Sequence, residues 1–109
     1  MLIAFALAIA AQTSSPSTNE KRIIEGLIKY DLKDPGSAKF RYLPYRRAES
    51  GHVYCGYVNA KNSFGGYTGF RMFHVTFIYS KAKLVTGVAF VDDGKGYIQQ
   101  MCLEDGALQ

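Results

Sequence analysis

The segment from residue 59 to residue 70, NAKNSFGGYTGF, has the most unusual composition in the chain. Asparagine, serine and glycine, which favour turns and tolerate positive φ, alternate there with three aromatic residues. A loop of this kind can present rigid rings and backbone donors to a protein or a glycan. It can equally serve only to turn the chain, with its rings filling the core, and the sequence leaves both interpretations open. The candidate binding residues here are Asn59, Asn62, Phe64, Gly65, Gly66 and Tyr67.

A second group mixes cations with aromatic rings between residues 41 and 47, RYLPYRR. In a protein that meets nucleic acid, such a mixture would contact phosphates and stack on bases. Because the chain carries the marks of export described below, we expect no nucleic acid partner. The residues first indicate a solvated strand edge, and the functional alternative is a site for an anionic cell-wall component or lipid headgroup. Arg46 and Arg47 join the candidate binding residues.

Residues arranged for catalysis or metal binding are sparse. His52 and His74 lack metal-ligand spacing, and Asp92-Asp93-Gly94 lacks the further acidic ligands of a calcium loop. We therefore predict a non-catalytic binding protein of the bacterial cell envelope, with no catalytic residue, metal or cofactor. One alternative is a hydrolase of envelope polymers, with His74 as general base on a concave sheet. Another is a structural accessory subunit.

Cys55 and Cys102 are the two cysteines of the chain. An even pair in a short exported protein predicts a disulfide. Their spacing gives no support to a C-x-x-C redox motif or a zinc ribbon.

The first residues have the pattern of a secretory signal peptide. Leu2 to Ala11 is an uninterrupted apolar run, Ala8-Ile9-Ala10 supplies a small-x-small cleavage sequence, and a polar Ser/Thr/Pro stretch follows. We predict a signal peptide at residues 1–11, a tether at 12–17 and a single domain at 18–109, located in the periplasm or secreted. The apolar run is shorter than the roughly 20 residues of a membrane span, so no permanent span is expected. The alternative is a buried N-terminal element of a cytosolic protein.

Composition agrees with a folded domain. The chain is 48% hydrophobic and 20% charged, far from the composition of disordered chains. Its net charge of +4 is compatible with an anionic surface, a polyanionic polymer or an acidic protein as partner. The oligomeric state is left open.

The spacing of apolar residues along the chain predicts the helix and strands that position these side chains. Ser17 and Glu20 form a capping box that starts a helix, and the approach to Pro35 predicts its end near Leu32 or Lys33. Apolar residues at steps of three and four mark the buried side of that helix. Period-two patterns predict strands over residues 38–42, 53–60, 70–79 and 84–91, with Gly56 marking a close backbone approach. Residues 97–102 suit either a helix or an edge strand.

This order predicts an α+β fold with an N-terminal helix packed on a four-stranded antiparallel sheet. The second sheet face, which includes Met72, is then either an exposed interaction patch or further core.

Two segments also carry a resemblance. Lys33 to Arg41 reads KDPGSAKFR, and Cys55 to Phe70 reads CGYVNAKNSFGGYTGF. The pair resembles a family of small uncharacterised bacterial exported proteins and lipoproteins that share KDPxSAxFR and CGxVNxKNxxGGYxGF motifs. The resemblance covers residues 27–73, and the chain departs from the lipoprotein members by lacking a cysteine just after the apolar run. It implies an envelope address and a two-motif layout, and no activity, cofactor or catalytic residue.

Overall fold

The computed structural model describes residues 15–45 and 52–108. The predicted signal peptide, Arg46 and Arg47 lie outside these ranges. In chain order the elements are α1 (Thr18–Tyr30), a 3₁₀ turn (Pro35–Ser37), β1 (Lys39–Arg41), β2 (Val53–Asn59), β3 (Arg71–Ser80), β4 (Lys83–Val91) and α2 (Tyr97–Glu104).

The four strands form one antiparallel sheet in the order β1-β2-β3-β4. Each strand starts and ends within about one residue of the bounds that periodicity predicts. Alternation sends Tyr54 and Val58 of β2 to the side covered by α1, called here the α1 face, and Val53 and Cys55 to the opposite α2 face. The predicted α+β fold with an N-terminal helix on a four-stranded antiparallel sheet is confirmed.

Helix α1 begins at the predicted capping box. The Ser17 N–H donates to Glu20 Oε1 over 2.8 Å, and the Glu20 N–H donates to Ser17 Oγ over 3.1 Å. Ile24 and Ile28 are buried on the α1 face. The helix ends at Tyr30, earlier than the predicted Leu32 or Lys33, and Leu32 packs against the core from beyond the Asp31 cap.

The undecided segment near the C-terminus is a helix. Ile98 and Cys102 of α2 pack on Val53 and Met72, so α2 covers part of the second sheet face and Met72 belongs to the core. The predicted Cys55–Cys102 disulfide is present, with the two Cα atoms 6.3 Å apart. Neither helix of the described residues has the length and apolar character needed to cross a bilayer.

Gly56 lies in a crowded environment, whereas Gly26 has open space around it. A Cβ on Gly56 would stand 2.8 Å from the Phe73 ring and 3.1 Å from the Arg41 carbonyl oxygen, which confirms the close approach predicted for this position. A Cβ on Gly26, inside α1, would meet no atom within 4 Å.

Alanine substitutions at these glycines should therefore have opposite effects. We expect Gly56→Ala to lower the free energy of unfolding by about 1–3 kcal/mol, because Phe73 or β1 must move. We expect Gly26→Ala to raise it by about 0.5–1 kcal/mol, because a helical glycine is replaced without a clash. Urea denaturation of both variants beside wild type measures the two shifts. A Gly56→Ala protein as stable as wild type would contradict the packing of β2 against Phe73.

Candidate functional site

The glycine- and aromatic-rich loop between β2 and β3 folds as a small hairpin of its own. Lys61 and Tyr67 form an antiparallel bridge, and the Asn62 N–H donates to the Gly66 carbonyl oxygen over 2.9 Å. Gly65 closes the tip with a φ of 85°, a conformation that strains residues with a side chain. We call residues 60–68 the hairpin loop.

Two asparagines fix this loop from inside. Asn62 Oδ1 accepts the N–H of Phe64 over 2.9 Å and that of Gly66 over 3.2 Å, and Asn59 Oδ1 accepts the N–H of Gly69 over 3.0 Å. These carboxamide oxygens are occupied within the loop. Asn59 and Asn62 therefore shape the loop through their carboxamide oxygens.

The hairpin loop is held against the 3₁₀ turn. The Tyr67 hydroxyl donates to the Ser37 carbonyl oxygen over 3.0 Å, and the Lys61 N–H donates to Ser37 Oγ over 2.9 Å. The two segments that carry the family resemblance are thus in direct contact, although they lie far apart in sequence.

The aromatic rings of the loop lie outside the core. Phe64 is 94% exposed at the tip, and Tyr67 and Phe70 are also exposed. A ring that filled the core would be buried, so the purely space-filling interpretation does not describe Phe64. An exposed phenylalanine on a fixed backbone offers a rigid apolar contact at small entropic cost.

Cations line the base of the loop on the α2 face and lie over its rings. Lys39 Nζ is 4.7 Å from the Tyr67 ring centroid and Lys61 Nζ is 5.6 Å from it, while the Arg41 guanidinium carbon is 4.1 Å from the Phe70 centroid. Such contacts position a cation without neutralising it. We call Lys39, Arg41, Lys61, Tyr67 and Phe70 the basic-aromatic surface.

No acidic side chain of the described residues forms an ion pair with the cations of this surface. Within residues 15–45 and 52–108, the ion pairs are Lys29 with Glu25 and His74 with Asp105, and neither involves the basic-aromatic surface. The exposed Lys39 and Arg41 and the half-buried Lys61 therefore remain available to an anionic group.

A cleft of about 220 Å³ opens behind the hairpin loop, at the C-terminal end of α1. Lys33, Lys61 and Arg71 line it, against the single carboxylate of Asp31. Lys61 thus belongs both to this cleft and to the basic-aromatic surface, so positive charge continues around the loop.

The chain that leads from β1 towards Arg46 is anchored by two tyrosines. The Tyr42 hydroxyl donates to Glu25 Oε2 and the Tyr54 hydroxyl donates to the Leu43 carbonyl oxygen, each over 2.6 Å. Burial raises the pKa of both hydroxyls well above their usual range, and Glu25 raises that of Tyr42 further. Both groups therefore stay protonated donors at neutral pH.

His74 lies apart from this site. It is 3% exposed beneath α2, its Nε2 is 2.7 Å from Asp105 Oδ2, and its Nδ1 is buried without a hydrogen-bond partner among the described residues. A general base must reach its substrate, and this ring faces α2 instead of an open groove. No group of three or more metal-ligating side chains occurs in the part of the chain that the structure describes.

The structure adds Ser37 and Lys39, which the sequence did not indicate, and also Lys61 and Phe70, which lie in the segment 59–70 but were not among the candidate binding residues. The strand register could have indicated one of them, since Lys39 pairs with Asn59 at the base of the loop. The Ser37 contacts carry no local sequence signal, because they join residues 24 and 30 positions apart.

No family model, curated protein or solved structure matches this chain significantly. Interpretation of the site therefore depends on its geometry and chemistry.

We expect Asn62→Ala to loosen the hairpin loop, because two backbone donors lose their acceptor. Backbone ¹⁵N relaxation should show order parameters at residues 63–66 falling from about 0.85 to below about 0.6. Ser63→Ala is the matched control: Ser63 lies in the same exposed turn, and the bonds that hold residues 64 and 66 go to Asn62. Unchanged order parameters in Asn62→Ala would show that the loop is not fixed by this side chain.

Proposed function

We propose that this chain is a non-catalytic, exported binding module of the bacterial cell envelope. It recognises an envelope protein or an anionic cell-wall component through the hairpin loop and the basic-aromatic surface. Phe64 is the apolar anchor, and Lys39, Arg41 and Lys61 supply the positive charge around it.

The observation that carries the proposal is the exposure of Phe64 on a fixed loop. The ring is 94% exposed, while Asn62 holds the backbone on both sides of it. A large apolar side chain that a hydrogen-bonded loop holds in water contributes nothing to folding, whereas its burial in a complex would stabilise binding. Binding energy in protein interfaces concentrates in such anchors.

The charges support an anionic partner. Lys39 and Lys61 flank Tyr67, and Arg41 lies over Phe70, so a ligand that contacts Phe64 meets positive charge beside an aromatic surface. Exposed cations of this kind raise association rates and make them sensitive to salt.

The envelope address is supported by three features of different kinds. The apolar run of Leu2 to Ala11 suits a signal peptide, the Cys55–Cys102 disulfide suits an oxidising compartment, and the two resembling segments suit an exported family. The apolar run lies apart from the other two features, which share Cys55.

Site-specific photo-crosslinking tests the binding surface. A photoreactive phenylalanine analogue at position 64 is expected to crosslink to a defined envelope component in cells, whereas the same analogue at Tyr97, an exposed position on α2, is not. Purified sacculi and detergent-extracted envelope proteins then serve as separate probes, which distinguishes a polymer from a protein.

Affinity for the crosslinked component should fall about thirtyfold in Phe64→Ala, which corresponds to the loss of an anchor worth about 2 kcal/mol. A Lys39→Ala, Lys61→Ala variant should bind more weakly and with a shallower salt dependence. Tyr97→Ala is the control and should bind as wild type. Equal affinity of wild type and folded Phe64→Ala would contradict the proposal.

A further inference from the structure

Strand β4 forms the edge of the sheet farthest from the hairpin loop. No strand of the described residues pairs with its outer side. It runs for nine residues, KLVTGVAFV, without a proline and with Lys83 as its one charged residue. Natural edge strands are usually shortened, charged or covered, because their free N–H and C=O groups otherwise pair with another strand.

The same edge carries an apolar patch on the α2 face. Ile78, Val88 and Phe90 are each between 42% and 50% exposed, beyond the part of the face that α2 covers. The register pairs Ile78 with Thr86 and Thr76 with Val88, so these side chains are neighbours across β3 and β4. We call Ile78, Val88 and Phe90 the β4 patch.

The α1 face is apolar at this edge as well. Leu27 lies over β4, with its Cδ1 3.3 Å from where a Cβ of Gly87 would stand. Tyr30 follows three residues later on the same side of the helix and is almost fully exposed. Both faces next to the edge therefore present apolar side chains.

Charge is distributed with opposite signs at the two ends of β4. Lys81 and Lys83 stand at its start, and Asp92 and Asp93 follow its last residue. A second β4 laid antiparallel along the first would bring each positive end to a negative end. Val85 is left without a partner where the register between β3 and β4 shifts, so Lys83 lies four strand positions from Val88, and Asp92 and Asp93 lie four and five residues beyond it. Val88 is therefore the centre of the register in which Lys83 meets this acidic pair.

We propose that the outer edge of β4 pairs with β4 of a second copy of this chain, about a twofold axis at Val88. The two sheets then form one continuous eight-stranded antiparallel sheet. Thr86 lies opposite Phe90 of the second copy, the two β4 patches merge across the axis, and Lys83 comes close to Asp92 and Asp93 of the second copy. This inference does not depend on the proposed function, although it would place the two hairpin loops at opposite ends of the assembly.

Sedimentation velocity from micromolar to millimolar protein concentration tests the pairing. Wild type is expected to form a dimer whose population rises with concentration. Val88→Lys sets two like charges opposite each other on the axis and is expected to be monomeric throughout. Leu103→Lys adds the same charge at an exposed position of α2 and is expected to dimerise as wild type does.

A charge exchange tests the register. Lys83→Asp and Asp93→Lys are each expected to weaken dimerisation about tenfold, since two attractions per dimer become repulsions. The double variant should recover the affinity of wild type. An equimolar mixture of the two single variants should form a heterodimer, because one copy then carries carboxylates at both positions and the other carries ammonium groups at both.

Wild type that stays monomeric at millimolar concentration would overturn the proposal. So would a dimer that Val88→Lys leaves intact, or single variants whose mixture shows no preference for the heterodimer. Circular dichroism of each variant establishes that a loss of dimer is not a loss of fold.

Discussion

The structure depends on covering a sheet that is apolar on both faces with two short helices. Helix α1 has 13 residues, a capping box and two buried isoleucines, and non-covalent contacts hold it on the sheet. Helix α2 has eight residues, and Ile98 and Cys102 are its buried side chains. Helices of that length are marginal without tertiary contacts. The Cys55–Cys102 bond supplies what packing lacks, because joining residues 47 positions apart stabilises a fold by roughly 4 kcal/mol in the chain-entropy view.

Strand β2 joins this core to the candidate site. It carries Cys55 of the disulfide on the α2 face and Gly56 against the Phe73 ring on the α1 face. At its end, Asn59 Oδ1 accepts a hydrogen bond from the Gly69 N–H. The hairpin loop therefore starts from the best-packed strand of the sheet and is tied again at Ser37. A loop anchored at its base and its side can expose Phe64 without losing its shape, which is the property a recognition surface needs.

Much of the fold could be predicted because its signals are local. The capping box of α1, the period-two strands and the cysteine pair each depend on neighbouring residues or on composition. Whether α2 would be a helix or a strand could not be predicted, because its eight residues span little more than two helical turns and Gly96 provides no side-chain cap. The site was predicted in outline only. Phe64 and Tyr67 could be found from residue type, whereas the approach of Lys39 and Lys61 to the Tyr67 ring depends on strand register and on a loop that folds back.

The central claim is that one covalent bond holds α2 on the sheet while the rest of the domain holds itself. Hydrogen–deuterium exchange of the oxidised and the reduced protein tests it most directly. On reduction, we expect the amides of α2 to exchange at least tenfold faster, while those of α1, the centre of β3 and the hairpin loop keep their protection. Protection of α2 that survives reduction unchanged would contradict the account, as would a loss of protection that spreads evenly over the whole domain.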